Sequence, residues 1–75
     1  MRLLEVEQDT WVQVIGVDGG RGLQDKLIQY GFFIGDRVRV LRRAPLGGPL
    51  LIEVDGREMA LGRGVAEKIK VEALP

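Results

Sequence analysis

Asp55-Gly56 stands between two runs of alternating residues, 50–54 and 57–61, and constrains the fold more than any other dipeptide in the chain. Both residues tolerate the positive φ that a type I′ turn demands, so the pair signals a two-residue β-hairpin. Such a turn sets the register outright. Val54 faces Arg57, Glu53 faces Glu58, Ile52 faces Met59 and Leu51 faces Ala60. Leu50, Ile52, Met59 and Leu61 then share the core face, because side chains alternate along a strand.

The segments upstream read in the same terms. Residues 10–17 carry Val12, Val14, Ile15 and Val17 around Trp11 and Gln13, a β-rich run whose alternation shifts phase near Ile15-Gly16, as a bulge would cause. Asp18-Gly-Gly-Arg-Gly22 is a flexible turn. From Leu23 the period becomes helical: Leu23 and Leu27 are four apart, with Ile28 and Tyr30 widening the stripe, and Gly31 suits the left-handed position past a helix end. About two turns of helix cannot stand alone and must be held by packing. Gly35-Asp36 forms a turn before a half-buried strand in which Val38 and Val40 alternate with Arg37 and Arg39. Gly62-Arg63-Gly64 punctuates before one helical turn at residues 65–67, and Ile69 with Val71 opens a last strand. Five short strands with one small helix predict a mainly β, SH3-like, partly open barrel, one domain over residues 1–75.

A chain of 75 residues with 45% apolar content can bury one modest core, and it has neither cysteine nor histidine to staple or organise it. Eleven basic residues balance eleven acidic ones, which disfavours a nucleic-acid partner, since phosphate binders usually carry a basic excess. No stretch is apolar enough for a signal peptide or membrane span, so the expectation is a cytoplasmic protein without membrane insertion. Without histidine and cysteine the usual general base and the strongest nucleophile are missing. Gly19-Gly-Arg-Gly22 lacks the Gly-Lys-Ser/Thr ending of a phosphate-binding loop, and Gly62-Arg-Gly64 meets Glu67 where a third dinucleotide glycine should fall. The expectation is a protein that is not an enzyme and has no cofactor.

The whole string resembles the ferrous iron transport protein A (FeoA) family. The resemblance rests on Leu27 before Gly31, Gly35 ahead of the Val38/Val40 strand, and Ala44-Pro45 with Gly47, Gly48 and Pro49. Ile52 and Val54 before Asp55-Gly56 continue it, and Ala60-Leu61, Ala66, Ile69 and Val71 complete it over about residues 3–72. Lys26 stands where the family more often has arginine, and Asp9-Thr10 replaces the usual glycine before the opening strand. The resemblance implies an SH3-like fold and a small cytoplasmic partner of the FeoB-type ferrous-iron transporter, which carries a GTPase domain; the partner would modulate uptake or assembly, with a link to transition-metal ion binding. The same module closes some metal-dependent transcriptional regulators; with no DNA-binding region in this chain, the free-standing accessory is expected.

Candidate contact residues follow from exposure and turn chemistry. The 44–49 segment places Leu46 in a loop framed by Pro45 and Pro49 with Gly47 and Gly48, and Leu51 lies on the face opposite Ile52. Arg43, Leu46, Gly47, Gly48, Pro49 and Leu51 are the expected partner-binding residues; Leu46 either projects or folds back as a core plug. A second copy of the chain is the alternative partner, through this tip or an open sheet edge.

The competing reading is a nucleic-acid-binding or regulator-type module using a face of Arg37, Arg39 and Arg43, with Arg42 on the other side by simple alternation. Glu53 and Glu58 could hold a hard cation, but the preferred reading has Arg37 or Arg39 neutralising them. That requires an odd-length connection or a bulge between Arg43 and Leu50. Trp11, Tyr30, Phe32 and Phe33 are expected in the core or against the helix, with Phe33 open to exposure in its turn.

Overall fold

The computed structural model describes residues 1–74. The chain runs through a 3-10 turn, Leu3–Glu5, then β1 (Trp11–Val17), α1 (Arg21–Gln29), β2 (Arg37–Arg43), β3 (Leu50–Val54), β4 (Arg57–Leu61), α2 (Arg63–Ala66) and β5 (Ile69–Ala73). The strands form one antiparallel sheet in the order β4-β3-β2-β1-β5, so β4 and β5 are its edges and the barrel is open. The expected mainly β architecture, with one short helix and one helical turn before the last strand, is what the chain adopts.

The hairpin register agrees with the sequence reading at every pair, from Val54 opposite Arg57 to Leu51 opposite Ala60. Asp55 and Gly56 have φ of 57° and 74°, as a type I′ turn requires. The phase shift in β1 is also real: its pairing with β5 slips between Val14 and Gly16. Alternation keeps Val12 and Val14 inward and Ile15 outward, and the slip then brings Val17 opposite buried Ile69 and against the core.

Inward residues of the strands close on one another with Leu27, Phe32 and Ala66, and Leu3 and Val6 complete this core from the N-terminal segment. That segment carries no period, yet it is tied down at several points. The Glu5 carboxylate accepts from the Arg2 amide at 2.8 Å, Arg2 bridges to Lys70, and the Val71 amide donates to the Met1 carbonyl at 2.8 Å. Asp18 joins in, with the Arg2 guanidinium at 2.7 Å and the Lys70 ammonium at 3.2 Å. Hydrogen bonds from Arg2 and then Lys70 hold the Asp18 carboxyl below its ordinary value.

Three packing expectations are corrected. Trp11 is exposed, because the alternation that puts Val12 and Val14 inward points Trp11 outward. Tyr30 and Ile28 are exposed as well. Leu23 and Leu27 aim the helix at the sheet, and at 100° per residue Ile28 is carried to its flank. The helix begins at Arg21, two residues before the first leucine that signals it. Phe32 is buried, while Phe33 is exposed in a turn whose ends are tied by the Asp36 side chain accepting from the Phe33 amide at 2.8 Å.

Candidate partner-binding surface

The 44–49 loop joins β2 to β3 and is closed at its base by the Ala44 amide donating to the Pro49 carbonyl at 3.0 Å. Inside it the Gly48 amide donates to the Pro45 carbonyl at 3.2 Å, with Leu46 and Gly47 at the central positions and φ of 59° and 72°. Two successive positive φ values make this a type I′-like turn. Gly47 takes that conformation freely, but Leu46 does not: a branched side chain in the left-handed region carries about 1–2 kcal/mol of strain. Leu46 stands at the apex with 103% relative exposure, so the core-plug alternative is excluded.

Gly48 is needed on steric grounds, because a Cβ there would lie 2.7 Å from the Ala44 Cβ and 3.2 Å from the Pro45 carbonyl oxygen. Leu51, half-buried, lies outward beside the loop, opposite Arg42 on one side and Ala60 on the other. Leu46, Gly47, Gly48, Pro49 and Leu51 are thus gathered at one end of the sheet.

Arg43 is turned to another task. Its guanidinium donates to the carbonyls of Leu4 and Val6 and clamps the N-terminal segment onto the sheet. Nothing in the sequence spacing signals a bond across so many residues.

The basic face expected on β2 forms with a different third arginine. The pairing of β2 with β3 slips between Val40 and Arg42, which makes Leu41 the extra residue of a bulge. Beyond it the faces exchange: Arg42 comes opposite outward Leu51, and Arg43 opposite inward Leu50. Arg37 and Arg39 are therefore parted from Arg43 and share the outward face with Arg42 instead. A bulge was required for arginine to neutralise the glutamates, and it lies within β2 instead of between Arg43 and Leu50. Arg39 bonds Glu53 at 2.5 Å and lies 5.4 Å from the centre of the Trp11 ring, so its charge is engaged at home. Among the described residues no group of three or more acidic, histidine or cysteine side chains could hold a metal ion. No helix among them is long and apolar enough to cross a membrane.

A second surface was not foreseen. Between α1 and β4 runs a groove of about 470 Å³, floored by Leu23, Leu27, Met59, Leu61 and Val65. The alternation of β4 and the helical stripe each carried half of it, but their juxtaposition depends on tertiary structure.

An open five-stranded antiparallel sheet with a short helix across its inner face defines a small β module of the SH3-like class. Within that class the chain belongs to the FeoA domain family, whose model matches residues 1–73. It is 39% identical over 56 residues to a protein of Methanocaldococcus jannaschii named putative Fe(2+) transport protein A, covering 75% of this chain and 66% of that one. The chain thus aligns with just under two thirds of that relative. The solution structure of FeoA from Chlorobium tepidum superposes with a TM-score of 0.89 at 31% identity, covering all of this chain and 71% of the other. A manganese-dependent transcriptional repressor superposes equally well, at 0.89, over 99% of this chain and 41% of its own length. At 21% identity that likeness is one of fold.

Proposed function

We propose that this chain is a non-enzymatic cytoplasmic accessory of ferrous-iron uptake that binds a FeoB-type membrane transporter. Its contact is the 44–49 loop, with Leu46 as the anchor and Leu51 beside it. Membership of the FeoA domain family and a relative named for Fe(2+) transport support the process. The observation that carries the site is Leu46 itself: a fully exposed leucine held in a conformation leucine disfavours. An anchor side chain presented on a rigid loop loses little entropy on binding, which favours tight contact from a small area. Aspartate tolerates the same backbone conformation, so Leu46→Asp removes the apolar contact without disturbing the loop. Saturable binding of the purified chain to the purified full-length transporter, lost in Leu46→Asp, is the expected result. Affinity that is unchanged by the substitution sinks the site, and absence of binding in every guanine-nucleotide state sinks the partnership.

A further inference from the structure

The two edges of the sheet are treated differently. The outer edge of β5 is covered by the N-terminal segment through the Arg2–Lys70 bridge and the Val71–Met1 hydrogen bond. Among the described residues, the backbone edge of β4 has no such cover. In the hairpin, Arg57, Met59 and Leu61 are the residues that exchange hydrogen bonds with β3, given a two-residue turn and antiparallel alternation. The N–H and C=O of Glu58 and Ala60 therefore point away from β3, and among the described residues they meet no backbone partner. The strand carries no proline, and its one inward charge, Arg57 opposite Val54, is turned to the Gly31 carbonyl at 2.9 Å, which leaves Met59-Ala60-Leu61 without a charge to blunt the edge.

We propose that β4 pairs antiparallel with β4 of a second copy of this chain about a two-fold axis through Met59, joining two sheets into one of ten strands. The register follows from which groups are free. Glu58 opposite Ala60 of the second copy, and Ala60 opposite its Glu58, uses all the free donors and acceptors and forms four hydrogen bonds. Moving by one pair in either direction leaves only two bonds. One of those shifted registers sets Glu58 against Glu58, and the other brings Arg57 toward Arg63 of the second copy, both like-charge oppositions. In the centred register Arg57 faces Leu61 and Met59 faces Met59. The two strand ends then bring Asp55 of each copy toward Arg63 of the other, with both residues exposed in the single chain. This charge complementarity, repeated twice by the symmetry, selects a second copy over an unrelated strand. Half-buried Met59 and the groove beside it are covered in the process.

The test is sedimentation velocity of the full chain over a concentration series, combined with amide exchange. Dimer should accumulate with concentration, and the amides of Glu58 and Ala60 should gain protection in step with it. Ala60→Pro removes a donor that β3 does not use, so it should weaken the dimer about ten- to a hundredfold. Arg63→Glu should weaken it as well, and adding Asp55→Asn, which suits the turn, should recover part of the loss. A chain that stays monomeric throughout overturns the proposal. So does a dimer whose Glu58 and Ala60 amides exchange freely, or one lost in Leu46→Asp and kept in Ala60→Pro. The amide measurement needs no variant and decides the matter even if Ala60→Pro folds poorly.

Discussion

Arg39 and Glu53 stand opposite each other on β2 and β3, and Arg39 Nη2 donates to Glu53 Oε1 at 2.5 Å. Their meeting depends on the Leu41 bulge, which lets Val40 face Ile52 while the loop still delivers Arg43 opposite Leu50. One extra residue reconciles the core register with the loop.

Glu53 also faces Glu58 across the hairpin, so the arginine relieves a like-charge pair. Both partners keep about a third of their surface, which limits the ion pair. Arg39→Ala should cost about 1 kcal/mol, combining the lost pair, the lost contact with Trp11 and the unrelieved glutamates. Glu58→Gln in that background should return part of it. Urea unfolding of the two variants checks this; an Arg39→Ala variant as stable as the wild type contradicts it.

The loop predicts substitutions of opposite sign. Leu46→Asn should stabilise the fold by up to about 1 kcal/mol, because asparagine accepts the left-handed backbone that leucine resists. Gly48→Ala should destabilise it by about 1–3 kcal/mol, since its new methyl overlaps Ala44. Thermal unfolding separates the two, and a destabilised Leu46→Asn would mean that the leucine is held by packing.

Arg43→Ala should release the N-terminal segment. It removes charge-assisted hydrogen bonds to the Leu4 and Val6 carbonyls in a partly exposed setting, worth about 1–2 kcal/mol together. The amides of Glu5 and Val6, which close the 3-10 turn, should exchange faster. Unchanged protection there would show that burial of Leu3 and Val6 alone holds the segment.

Acid stability should reflect Asp18. Its carboxyl ionises below the ordinary 3.8 in the folded chain, because Arg2 and Lys70 favour the charged form. Depression in the folded state means the contribution is present above the unfolded value and is lost as pH falls through the folded one. Asp18→Asn should therefore lower stability at neutral pH and flatten the acid limb below pH 3.8. Unfolding midpoints measured across that range check the sign.

Much of this fold was legible in the sequence because its signals are local. Asp55-Gly56 fixed a register, Gly31 marked a helix end with φ of 80°, and the broken alternation at Ile15-Gly16 marked a bulge. What was missed depends on distance. Leu3 and Val6 are core residues in a segment without periodicity, held by partners 37 or more positions away in the sequence. Asp9, with φ of 64°, does the work of the missing glycine before β1, a substitution that only backbone geometry reveals. The site divides along the same line. Pro45, Gly47, Gly48 and Pro49 announced a turn, but the exposure of Leu46 depended on which residue fell on the left-handed corner, and the inward reach of Arg43 on a bulge at Leu41.

In the proposed function, one exposed leucine, Leu46, recruits a ferrous-iron transporter. The most direct measurement is the affinity of the wild-type chain and of Leu46→Asp for the purified full-length transporter, with the fold of each verified by thermal unfolding. The expected result is a loss of about tenfold or more in affinity from a variant that remains folded. Equal affinities would contradict it.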